Sequence, residues 1–300
     1  MVHAERPYVD TPPGPHEATR EAADAAASVL GLPTPDALRT GMNALFTCGN
    51  VILRVGRTNA PAAVSLALAH HLAGAGIPVP EPASDQVVVV GDLSVTAWRR
   101  IESTGEPVDW EGVGRSVARL HELGPLTLPA AVPLPFPTSF PWWRFDVLLN
   151  DARPELDPEA FVGLEATIER RRGWFDPDRL ALVVCHGDVH PGNVMMSADG
   201  VVLLDWDLIC LGPRGWDHAP MMTWTARWGG QPGEYEAFAA GYGRSMRGDG
   251  QAEAIAELRL VAATLMRVLA GRHDPAARAE AARRLQYWRG EPDAPQWTAQ

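Results

Sequence analysis

Between residues 37 and 101 the apolar positions alternate in short runs, and only afterwards does helical spacing take over. "ALRTGMNALFTCGNVILRVG" (37–56) predicts three short strands, broken at Gly41-Met42-Asn43 and at Cys48-Gly49-Asn50, the second break being a hairpin turn. "TNAPAAVSLALAHHLAGAG" (58–76) spaces its apolar residues as a helix does. Thr58 or Asn59 would cap that helix, Pro61 lies near its first turn, and glycines close it. "VVVV" (87–90) and "LSVTAWRRI" (93–101) predict a second hairpin around Gly91-Asp92, which completes a small antiparallel sheet.

Past residue 102 helices dominate. In "DWEGVGRSVARLHELG" the residues Trp110, Val113, Val117 and Leu120 share a face, with Asp109 as N-cap and Gly124 as stop. Six prolines between 124 and 141 predict an extended surface segment or linker. Helical patterns return near 157–172, 234–242, 251–270 and 276–289. The first 20 or so residues, rich in proline and charge, predict a poorly ordered lead-in. A sheet followed by helices reads as an α+β fold.

One stretch breaks the helical pattern: "VVCHGDVHPGNVMMSADGVVLLDWDL" (183–208). Short apolar strands are predicted at 180–185, 193–196 and 201–204, with "SADG" as a turn. His186, Asp188, His190 and Asn193 then fall in the loop after the first strand, and Asp205 and Asp207 follow the third. Strand ends gathered in this way aim several carboxylates into one cleft.

Composition narrows the chemistry. The 300 residues are 46% hydrophobic and 21% charged, as in a globular protein, and the net charge of −11 excludes a phosphate-backbone binder. The same charge favours a cationic small molecule, and residues 103–300 hold 27 acids against 19 arginines. Lysine is absent, so any long cation that meets a phosphate is an arginine. Three cysteines in apolar settings and the lack of a signal-type or membrane-length apolar run predict a cytoplasmic protein with no membrane partner.

An Asp followed five positions later by Asn, then a hairpin and a second Asp, suits phosphoryl transfer. Asp188 would orient and deprotonate a hydroxyl, while Asn193 and Asp205 offer hard oxygen ligands to magnesium. The same spacing pairs the catalytic and metal loops of protein kinases, with Gly187 in place of their Arg and Asp205-Trp206-Asp207 in place of Asp-Phe-Gly.

"HGDVHPGN" with "LLDWDLICLGPRGWDHA" resembles the aminoglycoside phosphotransferase and choline kinase family, small-molecule kinases on the protein-kinase-like fold. "VILRVG", "HHLAGAGIPVPEP" and "VARLHELG" extend the likeness over roughly residues 37–290. The resemblance implies a sheet-rich N-lobe over 1–102 and a mainly helical C-lobe over 103–300. It implies ATP or GTP and magnesium as cofactors, Asp188 as catalytic base, and Asn193 and Asp205 as metal ligands. Gly41, Met42 and Asn43 would form the turn over the phosphates. Arg54 would stand where kinases place Lys, with Arg100 and Ile101 in the hinge that meets the adenine. The acceptor would be a hydroxyl-bearing, cationic small molecule such as an aminoglycoside antibiotic or an aminosugar, which implies antibiotic resistance.

Two departures stand out. The third-strand cation is Arg54, and the helix over 60–76 has no acid to pair with it; the family's Glu falls near Ser65. His190, Asp207, His186 and Asp217 remain candidates for acceptor contacts or for bracing the loops, His186 and Asp217 more as braces. Trp142, Trp143, Trp224 and Trp228 are further candidates to line an acceptor pocket. Two rivals explain part of the pattern. One is a kinase-fold protein that binds ligand without catalysis. The other is a metal-dependent hydrolase using Cys185, His186, Asp188 and His190, which leaves Asn193 and "LLDWD" unexplained.

Overall fold

The fold is that of a computed structural model describing residues 12–58, 60–178 and 180–298. Helix α1 (His16–Leu30) comes first. Its alanines Ala22, Ala23, Ala26 and Ala27 are buried against the sheet, and Gly31 ends it in the left-handed conformation (φ 65°). The expected disordered lead-in therefore gives way to helix from residue 16. An all-alanine stripe is a weak periodic signal, yet it lets helix and sheet approach closely. Residues 1–11 lie outside the described ones.

The alternating runs form β1 (Asp36–Thr40), β2 (Ala44–Cys48), β3 (Val51–Gly56), β4 (Val88–Val90) and β5 (Leu93–Arg99). They pair antiparallel in the order β1-β2-β3-β5-β4. Both turns are as predicted, with Gly49 and Gly91 at φ 61°. Phe46, Leu53, Val55, Val95 and Ala97 fill the layer under α1. Helix α2 (Ala63–Gly74) starts later than predicted, and Ala62 precedes it without a side-chain cap, so Thr58 does not cap it. Asn59 lies outside the described residues. Val64, Leu68 and Leu72 of α2 pack with Leu120, Val184 and Ile209 from later in the chain, which joins the sheet region to the helices.

Helix α3 (Trp110–Glu122) is capped as predicted, Asp109 accepting from Gly112 N at 2.9 Å. The proline-rich segment is more than a linker. Phe140 is fully buried, Trp143 is buried against Trp216, and Pro135 O accepts from Leu211 N at 3.0 Å. Helices α4 (Phe145–Ala152) and α5 (Pro158–Arg171) follow.

Strand β6 (Leu182–Cys185) pairs with β9 (Cys210–Pro213), and β7 (Val194–Ser197) pairs with β8 (Gly200–Leu203). The predicted third-strand loop is thus a bridge between two small ladders. Then come α6 (Gly215–Arg227), α7 (Glu234–Tyr242), α8 (Gly250–Ala270) and α9 (Pro275–Trp288). The sequence pattern missed α6 because its first half is buried on every side and Pro220 lies inside it, which erases amphipathic spacing. It missed α4 through brevity and β9 because "CLGP" carries a glycine and a proline.

Candidate active site

The loop after β6 is held by a buried acid. Asp217, in the first turn of α6, accepts from the backbone N–H groups of His186 and Gly187, both at 2.8 Å, and from His121 Nε2 on α3 at 3.0 Å. All of Asp217 is buried, so these bonds replace its lost hydration. Gly187 must be glycine: φ is 97°, and a Cβ would lie 2.0 Å from Leu208 O. His186 Nδ1 accepts from Asp188 N at 3.2 Å, so its proton sits on Nε2, which donates to Leu204 O at 2.9 Å. Burial lowers the His186 pKa and keeps the ring neutral. His186 and Asp217 are therefore braces that lock the loop to the end of β8.

Asp188 stands half-buried on that loop with both oxygens occupied. Asn193 Nδ2 donates to its backbone O at 2.9 Å and to Oδ2 at 3.2 Å. Arg259, on α8, donates from NH2 to Oδ1 at 2.6 Å and from NH1 to Gly187 O at 3.0 Å. His190 Nδ1 accepts from Gly192 N at 3.0 Å, which places the proton on Nε2, 3.3 Å from Asp188 Oδ2. Burial alone would raise the Asp188 pKa. The hydrogen bond of His190, then the charge of Arg259, hold it well below the usual carboxylate range. Trp224 stacks on the His190 ring at 5.6 Å, and Trp228 on Trp224 at 5.8 Å. Of the tryptophans singled out earlier, Trp224 reaches the loop after β6, whereas Trp143 belongs to the core.

Across the cleft, Arg54 on β3 pairs with Asp207. The Asn43 amide lies beside it, and the orientation that satisfies both groups has Oδ1 accepting from Arg54 Nε at 3.2 Å and NH2 at 2.9 Å. Asp207 thus supplies the carboxylate that α2 lacks, while the Ser65 hydroxyl turns back to Ala62 O at 2.7 Å. Asn43, Arg54, Gly56, Ser65, Thr96 and Asp207 line one narrow cleft. Gly41 and Met42 lie exposed at the tip of the β1–β2 turn. Arg100 N donates to Asn50 O at 2.7 Å, which leaves Ile101, half-buried, as the first residue past the sheet with its N–H outside the ladder.

Asp205 is the one described non-glycine residue with positive φ (58°), a sparsely populated backbone conformation. Partial loss of water there, then the like charges of Asp207 and Asp188, raise its pKa. No described donor bonds to that carboxylate or to Asn193 Oδ1. A carboxylate destabilised by its neighbours beside a free amide oxygen is a hard, all-oxygen donor set, and magnesium fits it. By contrast, the rival cluster of Cys185, His186, Asp188 and His190 does not converge. Cys185 Sγ points into the core toward Pro213 O (3.6 Å), and His186 Nε2 is bound to Leu204 O. His121, Cys185 and Asp217 do bring ligand atoms together, but both His121 nitrogens are taken, Nδ1 by Tyr242 Oη at 2.9 Å.

The sequence reading missed two contributors, Arg259 and His121. Each is a charged or polar residue inside an apolar helical run, "ELRLVAATL" and "VARLHEL", and that interruption was the available signal.

This fold and site define a kinase-like phosphotransferase. A model of the phosphotransferase enzyme family matches residues 47–255, and the chain belongs to that family of small-molecule kinases. No curated protein matches it in sequence. Among solved structures it is similar to a spectinomycin phosphotransferase in complex with ADP and spectinomycin (16% identity, TM-score 0.62, covering 85% of this chain and 89% of that one). It is also similar to a choline/ethanolamine kinase family protein from Mesorhizobium loti (17%, TM-score 0.63, 92% and 95%). A third likeness is to a macrolide 2'-phosphotransferase from Brachybacterium faecium (20%, TM-score 0.56, 88% and 98%). Among the described residues no helix is long and apolar enough to cross a membrane.

Proposed function

We propose that the protein transfers the γ-phosphoryl group of ATP or GTP to a hydroxyl of a small molecule, with Asp188 as base. The observation that carries this reading is that Asp188 is bonded to Asn193 on one loop while Asp205 lies within range of the charges of Asp188, Arg54 and Asp207. The acceptor oxygen bonds to the γ-phosphorus as the bond from phosphorus to the β,γ-bridging oxygen breaks. The electron pair leaves with the nucleoside diphosphate, and the hydroxyl proton passes to Asp188 and then to solvent. With its pKa pulled down, Asp188 is a weak base whose main work is orientation, which suits a transition state with little bond formation to the nucleophile.

Asn193 Oδ1 and Asp205 would hold magnesium, which supplies charge neutralisation on the phosphates. Arg54, freed from Asp207, would take the phosphates together with the Gly41–Asn43 turn, and Ile101 would meet the base beside Arg100. The boundary between the two lobes would fall near residue 102. Similar proteins solved with ADP and with GDP support either nucleotide. The antibiotics in those structures, together with the net charge of −11, support an antibiotic-like or aminosugar acceptor carrying positive charge and a role in antibiotic resistance. Three free, buried cysteines support a reducing, cytoplasmic setting.

The test is magnesium-dependent ADP or GDP release over a set of aminoglycosides, macrolides, aminosugars and amino alcohols. Turnover with one acceptor class supports the reading. Failure to bind either nucleotide in calorimetry contradicts it.

A further inference from the structure

The groups that touch Asp188 are a guanidinium, an imidazole N–H and an amide N–H, and no second acid stands among them. Asp217 is sealed beneath the loop, Asp207 is paired with Arg54, and Asp205 lies within range of the charges of Asp207, Arg54 and Asp188. Glu257, two residues before Arg259 on α8, is paired with Arg170 and Arg171. Arg259 is therefore a fixed cation in direct contact with Asp188 where the acceptor hydroxyl must approach.

That guanidinium is held in place from behind. Its Cζ lies 5.2 Å from the centroid of the Trp216 ring, and Trp216 is itself buried between Trp143 and Trp174. Two N–H groups reach the loop, at Asp188 Oδ1 and Gly187 O, out of the five a guanidinium carries. Its side chain keeps 19% of its surface open. Asp188 Oδ1 accepts one described bond and has a lone pair left for a hydroxyl. A hydroxyl seated there lies beside Arg259, so the group attached next to that hydroxyl meets a fixed cation.

We propose that Arg259 is the acceptor-specificity residue: the phosphorylated hydroxyl belongs to a molecule whose carbonyl or carboxylate carbon is one or two bonds from the carbon bearing that hydroxyl, and Arg259 binds the carbonyl or carboxylate oxygen. This rests on the phosphotransferase reading and narrows its acceptor. An ammonium at the same place would sit against the Arg259 guanidinium, a contact between like charges. The acidic surface is compatible with positive charge farther out on the acceptor, since exposed charges are screened beyond about 10 Å.

Two matched sets test it: mandelate, 1-phenylethane-1,2-diol and 2-amino-1-phenylethanol, and glycerate, glycerol and 3-amino-1,2-propanediol. Within each set the reacting hydroxyl is kept and its neighbour changes from carboxylate to hydroxyl to ammonium. Each is titrated calorimetrically into the full chain holding magnesium and a non-hydrolysable ATP analogue, and into Arg259→Gln and Arg259→Lys. The expected result is at least tenfold tighter binding of a hydroxy acid than of its amino alcohol, a preference removed in Arg259→Gln and partly kept in Arg259→Lys. Should Arg259→Gln fail to fold, the wild-type preference and Arg259→Lys decide. Equal binding, tighter amino alcohols or no binding of either set overturns the inference. The analogue titration separates the two readings: if the nucleotide binds, the acceptor inference alone falls; if it does not, the phosphotransferase reading falls with it.

Discussion

Arg54 on β3 is paired with Asp207, so the carboxylate partner of the third-strand cation comes from the metal-side loop and not from α2. Nucleotide phosphates would therefore compete with Asp207 for the Arg54 guanidinium. Arg54→Met is predicted to weaken ATP binding roughly 10- to 100-fold, the worth of one charge-assisted hydrogen bond. Ser65→Ala, at the place where the family has its acid, is predicted to leave ATP affinity within about twofold of wild type. Calorimetric titration of both variants checks the assignment, and a large loss in Ser65→Ala with none in Arg54→Met would reverse it.

Gly187 occupies a position that no other residue fits, because its φ of 97° and the Leu208 carbonyl, 2.0 Å from where a Cβ would stand, act together. Gly187→Ala should cost about 2 kcal/mol or more of stability and displace the catalytic loop. Denaturant unfolding measures the first, and an unchanged midpoint would show that the loop relaxes freely.

The His121–Asp217 pair makes stability depend on pH. Burial opposes a charged His121, yet Asp217 and Cys185 raise its pKa from 6.5 to about 9. A pKa raised on folding contributes stability that is complete below about pH 6.5 and lost as the pH climbs through 9, on the order of 3 kcal/mol. His121→Gln is predicted to flatten that alkaline slope in urea midpoints measured from pH 6 to 10. A slope unchanged in His121→Gln would assign the dependence to another group.

The sheet and the long helices were readable because each buries one face, so alternation in β2 and β3 and the stripe Trp110, Val113, Val117 report the packing directly. Helices α1 and α6 were not, since alanines or all-round burial leave no stripe. Asp188, Asn193 and Asp205 stood out because a local spacing fixes them near one another. Arg259 reaches Asp188 from 71 residues away, and Asp207 reaches Arg54 from 153, so no local pattern could join them.

The central claim is that Asp188 receives the acceptor proton. Asp188→Asn keeps the size and the hydrogen bond to Arg259 through its amide oxygen while removing the charge. Nucleotide-diphosphate release with a turned-over acceptor is predicted to fall about 10³-fold in this variant, with thermal midpoint and ATP affinity near wild type. Retention of more than about a tenth of the wild-type rate would contradict the account.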